Sequence, residues 1–366
     1  MQETTSVDQA RLAELIERII TDAGAAVAFP LALVGDRLGV FSALAAADGP
    51  VTAEQLAGRT GLAERYLREW LLAMAAAGYV TYAGGGDPGP EAKRTARYRL
   101  SPEQAEAFTN SDSPGYVAGV FQNLTAATRM VDRITEVFRT GEGISWHEQH
   151  DDMFEGTERF FRPSYLANLT SSWIPSLSGI EERLDEGARV ADVGCGFGTS
   201  TIIMAKAYPN STFVGLDSHD RSIARARERA AGARVADRVT FRAEGATDLH
   251  GTYDLIAFFD CLHDMPDPVA ALRAARPALT PGGRVMLVEP MSWDTVEETV
   301  GNPLGRLLAG ASTFVCLPSG LAGPPAYGLG AQAGPARILQ VAEEAGFGDA
   351  RVALATETNR VFELAP

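Results

Sequence analysis

Short apolar runs alternate with helical patterns through the second half of the chain. Such alternation is typical of a doubly wound, mostly parallel α/β sheet. The predicted strands are Arg189–Val193, Ser211–Leu216, Arg238–Arg242, Tyr253–Phe259, Arg284–Glu289, Arg351–Ala355 and Arg360–Leu364. The predicted helices are Thr199–Ala207, Ser222–Ala233, one beginning near Pro266, and Pro335–Gly346.

The first hundred residues have a mainly helical pattern. Their earliest apolar positions recur at the spacing of one helical stripe, namely Leu12, Leu15, Ile16, Ile19 and Ile20. Nothing else in this segment is obviously large enough to cover the stripe. We therefore expect it to pack against a partner subunit.

Further helices and a hairpin follow the stripe. A helix is predicted from about Pro30 to Ala47, and a capping box, Thr52–Gln55, opens a short one. The next helix, Leu62–Ala77, precedes two alternating strands at 79–82 and 97–100, joined by the loop 84–90. Three helices followed by a β-hairpin predict a winged helix.

A winged helix often binds DNA, so the charge of this segment is informative. Residues 1–100 carry ten Lys and Arg against twelve Asp and Glu, a net charge of −2. In the helix that would enter the groove, Arg65 and Arg68 are offset by Glu64 and Glu69. The whole chain of 366 residues has a net charge of −15, which would repel a polyanion. We therefore expect no nucleic-acid partner and a dimerisation role for the winged helix.

The sequence predicts a cytoplasmic protein without a membrane partner. Its first fifteen residues have neither the basic segment nor the apolar core of a signal peptide. No uninterrupted apolar run approaches the ~18 residues of a membrane span. Cys195, Cys261 and Cys316 are scattered and lack C-x-x-C spacing, which suits a reducing compartment and predicts no disulfide.

A glycine-rich turn directly follows the first strand of the predicted sheet. Its pattern places Asp192, Gly194, Gly196 and Gly198 two residues apart. A dinucleotide-binding fingerprint would instead need a glycine at Thr199. The run RVADVGCGFGT resembles motif I of class I S-adenosylmethionine (SAM)-dependent methyltransferases. The resemblance implies that the glycine turn lies alongside the methionine part of SAM and that Asp192 helps to hold its sulfonium end.

Two later strand ends complete the predicted cofactor site. Asp217 lies nineteen residues after the last glycine, where a carboxylate can accept both ribose hydroxyls of an adenosine, and Ser218 lies beside it. Many class I methyltransferases carry an aspartate for the adenine amino group at the position of Gly245. Because that aspartate is missing, we expect adenine to contact the backbone at Gly245 and Ala246, or the side chain of Thr247.

The segment FFDCLHDMPDP, at the end of the strand 253–259, carries the candidate catalytic residue. Ligands of open α/β sheets bind beyond the carboxyl ends of the strands, so we expect Asp260 to face the cofactor and His263 to face the substrate. Leu-His-Asp resembles a motif of small-molecule O-methyltransferases in which the histidine is the general base. Imidazole, with a pKa near ~6.5, can take the proton of a phenol with a pKa near ~10 during methyl transfer. A lone histidine is otherwise usually structural.

Residues 101–187 are mostly helical and rich in aromatic residues. Their place between two predicted domains suits a substrate lid, so Trp146, His147 and Tyr165 are candidate substrate contacts. The alternative is core packing for Trp146 and Tyr165, and a polar loop over the mouth of a pocket for His147. His147, Glu148, His150 and Asp151 could ligate a metal. Their separations match no known helical ligand pair, and we predict no metal site.

Further motifs extend the resemblance over nearly the whole chain. Residues 290–334 form an insertion in the strand-and-helix pattern of a minimal α/β sheet. We expect this insertion to form part of the wall of the substrate pocket. The winged-helix start, DVGCGFGTS, FFDCLHDMPDP, VEP, NPLGR, STFVC and LGAQAG together resemble bacterial SAM-dependent methyltransferases with a transcription-factor-like N-terminal domain. The resemblance implies a winged-helix dimerisation domain (1–100), a helical linker and substrate lid (101–187) and a Rossmann-like SAM-binding domain (188–366).

We predict a homodimeric SAM-dependent methyltransferase that acts at oxygen on a small, partly hydrophobic molecule. Two alternatives stay open. One is a SAM-binding enzyme that catalyses cyclisation, decarboxylation or hydroxylation, and the other is a SAM-responsive transcription regulator. Formation of S-adenosylhomocysteine together with a methylated acceptor separates the methyltransferase from both.

Overall fold

The computed structural model describes residues 7–86 and 88–366, and the chain divides into two compact units, Met1–Thr125 and Ala126–Pro366. The predicted linker and lid, 101–187, is divided between these units. Two predictions fall partly outside the described residues. They are the lack of a signal peptide, which concerns residues 1–6, and the loop of the wing, which contains Asp87.

The first unit is helical with a two-stranded hairpin. Its elements are α1 (Gln9–Arg37), α2 (Val40–Ala45), α3 (Ala53–Thr60), α4 (Glu64–Ala76), β1 (Thr81–Tyr82), α5 (Ala92–Thr95), β2 (Tyr98–Arg99) and α6 (Pro102–Thr109), and α7 (Ala118–Thr128) crosses the boundary to the second unit. The capping box opens α3 as predicted, because the side chains of Thr52 and Gln55 each accept the other's backbone N–H. The antiparallel pair β1–β2 follows the helices, as a winged helix requires.

The first helix is longer than the sequence pattern predicts. α1 runs for 29 residues without a break, so the prediction of separate helices over the stripe and from about Pro30 to Ala47 is wrong. Pro30 lies inside α1, where it removes one backbone hydrogen bond without ending a helix rich in alanine. The break comes at Gly39, whose φ of 68° lies in the left-handed region that favours glycine.

The buried residues of α1, which are Ala28, Ala32, Leu33 and Gly35, lie in its C-terminal part, whereas residues 9–27 are exposed apart from the half-buried Asp22. A Cβ at Gly35 would lie 2.1 Å from the ring of Trp70, so glycine allows the indole to pack against the helix. The indole N–H of Trp70 donates to the carbonyl of Leu31 at 2.7 Å. The predicted apolar stripe lies in the exposed N-terminal part of α1, where, within this unit, Ile16 is 48% exposed and Ile20 66%.

By length and composition, α1 alone among the helices of residues 7–86 and 88–366 could cross a membrane. Uninterrupted apolar runs in the sequence predict no such helix, whereas α1 mixes apolar residues with a few charges. Helices of soluble proteins meet the same criterion, so this is weak evidence for a membrane.

The second unit contains the predicted α/β sheet. Its helices are α8 (Val131–Thr140), α9 (Asp151–Asn168), α10 (Ile180–Glu186), α11 (Thr199–Ala207), α12 (Asp220–Gly232), α13 (Pro268–Ala275), α14 (Val296–Val300), α15 (Pro303–Ala311), α16 (Leu317–Gly320) and α17 (Pro335–Glu344). Its strands are β3 (Arg189–Val193), β4 (Thr212–Asp217), β5 (Val239–Ala243), β6 (Tyr253–Phe259), β7 (Leu279–Pro290), β8 (Asp349–Ala355) and β9 (Asn359–Ala365).

The seven strands lie in the order β5–β4–β3–β6–β7–β9–β8. β3 to β7 are parallel, and β9 pairs antiparallel with both β7 and β8. Because β3 lies between β4 and β6, the connections wind in opposite directions on its two sides. Such a switch point opens a crevice beyond the carboxyl ends of the strands. The doubly wound sheet is confirmed.

Alternate residues of the central strands enter two separate cores. On β6, Leu255, Ala257 and Phe259 pack in one core, and Ile256 and Phe258 pack in the other. Since side chains of a strand alternate between its faces, the sheet is buried on both sides. This burial holds the carboxyl ends of β3, β4 and β6 rigidly beside one another.

Candidate active site

The glycine turn joins β3 to α11, and all three glycines have left-handed φ values, 72° at Gly194, 52° at Gly196 and 73° at Gly198. A Cβ at Gly194 would lie 2.7 Å from the Sγ of Cys261, so the turn lies directly against the segment that follows β6. A Cβ at Gly196 would meet no described atom within 4 Å. The turn is therefore packed at its start and open at its centre, where a ligand can approach the backbone.

Asp192 lies in β3 just before this turn and is only 1% exposed. Its Oδ2 accepts hydrogen bonds from the hydroxyls of Ser200 and Thr201, both at 2.6 Å. Its Oδ1 is buried and accepts none from the residues that the structure describes. Burial raises the pKa of Asp192 to about 6, against the lowering effect of the two hydroxyls. The free oxygen is a suitable partner for a cationic ligand.

Asp217 ends β4 and holds two neighbouring segments. Its Oδ2 accepts from the N–H of Gly196 at 2.9 Å, and its Oδ1 accepts from the N–H of His219 at 2.8 Å. Burial raises the pKa of Asp217, and these two N–H groups oppose the shift. Each oxygen retains a lone pair for a further donor.

His147 lies beside this strand end. Its Nε2 is 3.2 Å from the Oγ of Ser218, next to Asp217. The ring of His219 stacks on Phe154 of α9, with 4.3 Å between the ring centroids. The loop with His147 therefore lies at the predicted adenosine edge of the site. Trp146 packs edge-on against Phe154 and is partly buried.

The end of β5 contains the residues predicted to contact adenine. The N–H of Gly245 donates to the side chain of Asp248 at 2.9 Å, so an acidic residue three positions later closes this turn. Ala246 packs at the edge of one of the two cores. Glu244, which the sequence analysis did not select, has an Oε2 that is buried and accepts no hydrogen bond from the described residues.

His263 lies on the 3-10 turn Leu262–Asp264 after β6 and is 2% exposed. Its Nδ1 is hydrogen-bonded to Oε2 of Glu289 at the end of β7. A carboxylate can only accept, so Nδ1 carries the proton. Nε2 lies 3.3 Å from Oδ1 of Asp264. Burial lowers the pKa of His263, but the charges of Glu289 and Asp264 outweigh it and raise that pKa well above the ordinary value.

Part of the insertion 290–334 contacts the His263 turn. The N–H of Gly330 donates to the carbonyl of His263, and the N–H of Tyr327 donates to that of Pro266, both at 3.0 Å. Cys316, from the same insertion, has its Sγ within 4.8 Å of ligand atoms of His263 and Asp264. The insertion therefore holds the turn in place and adds a thiol to it.

Asp260 has an unusual backbone, with a φ of 49°. The hydroxyl of Tyr165 donates to its Oδ2 at 3.0 Å, and the side-chain amide of Asn359 donates to its Oδ1 at 2.9 Å. Burial and the nearby charge of Glu289 raise the pKa of Asp260 to about 8. Both carboxyl oxygens are thus directed at protein donors, although the sequence predicts that Asp260 faces the cofactor.

Tyr165 belongs to the protein core. It is 8% exposed, packs against Phe259 and Trp173, and is tied to Asp260 through its hydroxyl. Its location matches the core alternative of the sequence analysis better than the substrate-contact alternative. Its role is to fix α9 against the end of β6.

Glu289 and Asp264 are the main residues that the sequence analysis missed. Asp264 directly follows His263 in the motif, and Glu289 ends the predicted strand next to 253–259. Because adjacent parallel strands end at the same edge of a sheet, the pairing of Glu289 with His263 was available from the strand pattern. Asn359 had no comparable signal.

Two family models match the chain. One is described as a methyltransferase domain and matches residues 184–307, and the other is described as an Rv2258c-like winged HTH domain and matches residues 25–110. The first range contains the glycine turn, Asp217 and the His263 turn. The predicted combination of a methyltransferase domain with an N-terminal winged helix is confirmed.

Curated relatives match over part of the chain. The ubiquinone biosynthesis O-methyltransferase of Bordetella avium is 35% identical over 129 residues, which are 35% of this chain and 52% of the relative. The chain therefore spans about half the length of this curated relative.

Solved structures match over almost the full length. The mitomycin 7-O-methyltransferase MmcR is 20% identical with a TM-score of 0.71, and the match covers 98% of this chain and 100% of that one. Human N-acetylserotonin methyltransferase, solved in complex with SAM, is 17% identical with a TM-score of 0.68, covering 98% of each chain. At these identities the likeness shows the fold alone.

Proposed function

We propose, from the premise that this chain carries a SAM-dependent methyltransferase domain behind a winged helix-turn-helix domain, that it methylates a hydroxyl oxygen of a small, partly hydrophobic molecule. One observation carries the proposal. The glycine turn, with the free Oδ1 of Asp192, lies against the segment that carries the buried His263–Glu289 pair. A cofactor cradle and a proton acceptor at adjoining strand ends are what methyl transfer to a hydroxyl needs.

The residues of the cradle suit SAM. Asp192 Oδ1 is a buried acceptor for the positive methionine end, and the open backbone at Gly196 allows close approach. Asp217 has lone pairs left for the ribose hydroxyls, with Ser218 beside it. When bound, SAM supplies an activated methyl group on a sulfonium.

The adenine end lacks the aspartate found in many class I methyltransferases. We assign its amino group to Oε2 of Glu244, with the backbone at Gly245 and Ala246 beneath the ring. This oxygen accepts no hydrogen bond from the described residues, and its ion pair with Arg242 is long, at 3.9 Å, so it favours an added N–H donor. His147, at Ser218, then belongs to the cofactor side of the site rather than to the acceptor side.

His263 acts as the general base in this proposal. Glu289 holds the proton on Nδ1, which leaves Nε2 to take the proton of the acceptor hydroxyl. The 3.3 Å contact of Nε2 with Asp264 is long for a charge-assisted hydrogen bond, so an acceptor hydroxyl can replace it. Since the raised pKa favours the imidazolium, the base becomes available as the pH rises.

The acceptor class is inferred from the surroundings of the site. Trp146, Met153 and Phe314 form an apolar cluster that also includes Cys316, the neighbour of His263. The relatives named above include a ubiquinone biosynthesis O-methyltransferase and a mitomycin 7-O-methyltransferase, whose names also point to methylation at oxygen. An apolar wall beside a buried base suits a phenol or a similar hydroxyl compound.

We also propose that the exposed apolar side of α1 forms a homodimer. Leu15, Ile16, Ile19 and Ile20 present a continuous stripe whose members are 48–66% exposed. Large exposed apolar faces are typical of interaction surfaces. The charged residues Arg11, Glu14, Glu17 and Arg18 lie among the residues of the stripe, so burial of this segment in lipid would be costly. A dimer interface therefore fits the stripe better than a membrane.

We further propose a cytoplasmic location. The three cysteines are free thiols, as expected in a reducing compartment. SAM is a soluble cofactor that the proposed reaction consumes at each turnover.

The test uses SAM labelled in its methyl group and a panel of phenols and other small hydroxyl compounds. We expect S-adenosylhomocysteine and labelled acceptor in equal amounts. His263→Ala is expected to lower turnover by about 10²–10⁴ and to regain part of it at high pH, because the solvent then ionises the acceptor. His250→Ala removes an exposed histidine and is the matched control.

SAM affinity of His263→Ala should stay close to wild type, since the cradle lies on other strand ends. Wild-type turnover in His263→Ala at neutral pH would exclude the base assignment. A converted acceptor without the label would exclude methyl transfer itself.

A further inference from the structure

We propose that His263, Asp264 and Cys316 form a binding site for a thiophilic divalent cation, Zn²⁺, and that the bound ion inhibits the enzyme. The three side chains are a soft thiol, an imidazole and a carboxylate, which are typical zinc ligands. The sequence predicts no metal site, because neither the loop around His147 nor the three scattered cysteines match a known ligand spacing. Cys316 lies 53 positions from His263 in the chain, and only the fold brings them together.

The distances suit one small ion. A ring nitrogen of His263, an oxygen of Asp264 and the Sγ of Cys316 all lie within 4.8 Å of one another. Nε2 is the ring nitrogen that lies 3.3 Å from Asp264. Tetrahedral zinc, at ~2.0–2.3 Å from each ligand, needs ligand atoms about 3.5 Å apart. Small side-chain rotations close that difference. The backbone hydrogen bond from the N–H of Gly330 to the carbonyl of His263, at 3.0 Å, already holds the insertion 290–334 against the His263 turn.

The surroundings of His263 are those of a metal ligand. Glu289 fixes the proton on Nδ1 and so directs the lone pair of Nε2 toward Asp264 and Cys316. Carboxylates that hold the far nitrogen of a histidine are typical of zinc sites. Oδ1 of Asp264 is buried and accepts no hydrogen bond from the described residues, so it is free to ligate.

Charge also favours a cation here. Glu289 is buried and Asp264 is partly buried, and their ion pairs within the described residues are with the single imidazole of His263. Two carboxylates therefore share one positive charge at a place that solvent reaches only in part. A thiol that coordinates a divalent ion gives up its proton to solvent. A divalent ion balances the resulting negative charge.

Three protein ligands leave a fourth position for water, which keeps such an ion exchangeable. Inhibition rests on the proposed function, since Nε2 cannot hold a metal and accept a proton at the same time. Binding of the ion itself does not depend on the proposed function.

The first experiment titrates the full-length protein with Co²⁺, a spectroscopic probe for zinc sites, without any acceptor. We expect a thiolate-to-cobalt absorption band that Zn²⁺ abolishes. Cys316→Ser is expected to lose the band and to weaken binding by about tenfold or more, because even loss of an outer partner of a metal ligand costs 10–100-fold. Cys195→Ser, which removes a buried thiol outside the proposed site, should keep the band.

Asp264→Asn is a second variant, expected to keep the band and to bind Co²⁺ more weakly. No thiolate band in wild type, or an equal band in Cys316→Ser, would overturn the site. Circular dichroism of each variant excludes unfolding as the cause of a lost band.

The second experiment measures S-adenosylhomocysteine formation with and without Zn²⁺, comparing each variant with its own zinc-free rate. We expect inhibition of wild type that a chelator reverses, and about tenfold or more lower zinc sensitivity in Cys316→Ser. Equal sensitivity of both proteins would refute inhibition through this site. If no acceptor is methylated, the proposed function fails while the Co²⁺ titration still decides the metal site.

Discussion

The replacement of Glu289 by glutamine tests the coupling between the catalytic base and its carboxylate. The side chains of His263 and Glu289 are 3% and 4% exposed, so solvent screens their interaction little. A glutamine side chain here would be close in size to glutamate but carry no charge. The Nδ1–H of His263 could still donate, but to an uncharged amide oxygen. Hydrogen bonds to charged groups contribute about 1.5–3 kcal/mol. Because the imidazolium forms as the acceptor loses its proton, we expect turnover to fall by about 10- to 150-fold.

The pH profile of Glu289→Gln separates positioning from general damage. In the wild type, the raised pKa of His263 places the acid limb of activity above the ordinary value for imidazole. In Glu289→Gln, burial still lowers the pKa of His263. The charge of Asp264 is then the main influence left that raises it. The acid limb should therefore move to lower pH while the maximum rate falls.

The assay is initial-rate S-adenosylhomocysteine formation across pH, at saturating SAM and acceptor. Glu363→Gln is the matched control, since Glu363 is a buried glutamate of β9 that bonds Ser178, Arg284 and Arg351 instead of His263. It should lose stability and keep the position of the limb. If the acid limb of the pH–rate profile stays in place in Glu289→Gln, the coupling is refuted. If it moves to higher pH, the charge of Glu289 affects the pKa of His263 in the opposite direction.

Two further predictions concern the cofactor and the assembly. Asp217→Asn should weaken SAM binding by about 1–3 kcal/mol in calorimetry, because the carboxylate organises the glycine turn through Gly196 and is proposed to accept the ribose hydroxyls. Asp237→Asn, at an exposed site, is the control. Wild-type affinity of Asp217→Asn for SAM would reject this role. The double variant Ile16→Glu and Ile19→Glu should be monomeric in light scattering. Glu14→Lys, on the polar side of α1, is the control and should keep the mass of a dimer. A monomeric wild type would reject the interface.

Several features of the fold follow from local patterns in the sequence. The strand β3 and the helix α11 have the predicted bounds, and the glycines between them take left-handed φ values. A buried strand, a turn that needs glycine and a helix each depend on neighbouring residues, so short stretches of sequence are enough to predict them. The capping box of α3 was predictable for the same reason.

The tertiary structure alone decides which side chains meet. Asp260 was expected at the cofactor, yet it bonds Tyr165, 95 residues earlier, and Asn359, 99 residues later. His263 pairs with Glu289, 26 residues away on a neighbouring strand, and Cys316 joins them from an insertion without a regular pattern. The course of α1 through Pro30 also depends on more than local propensity, since Trp70 packs against it at Gly35. Hydrophobic periodicity determines which elements form and which faces they bury, whereas strand order and loop path determine which buried polar groups become partners, and these are properties of the whole folded chain.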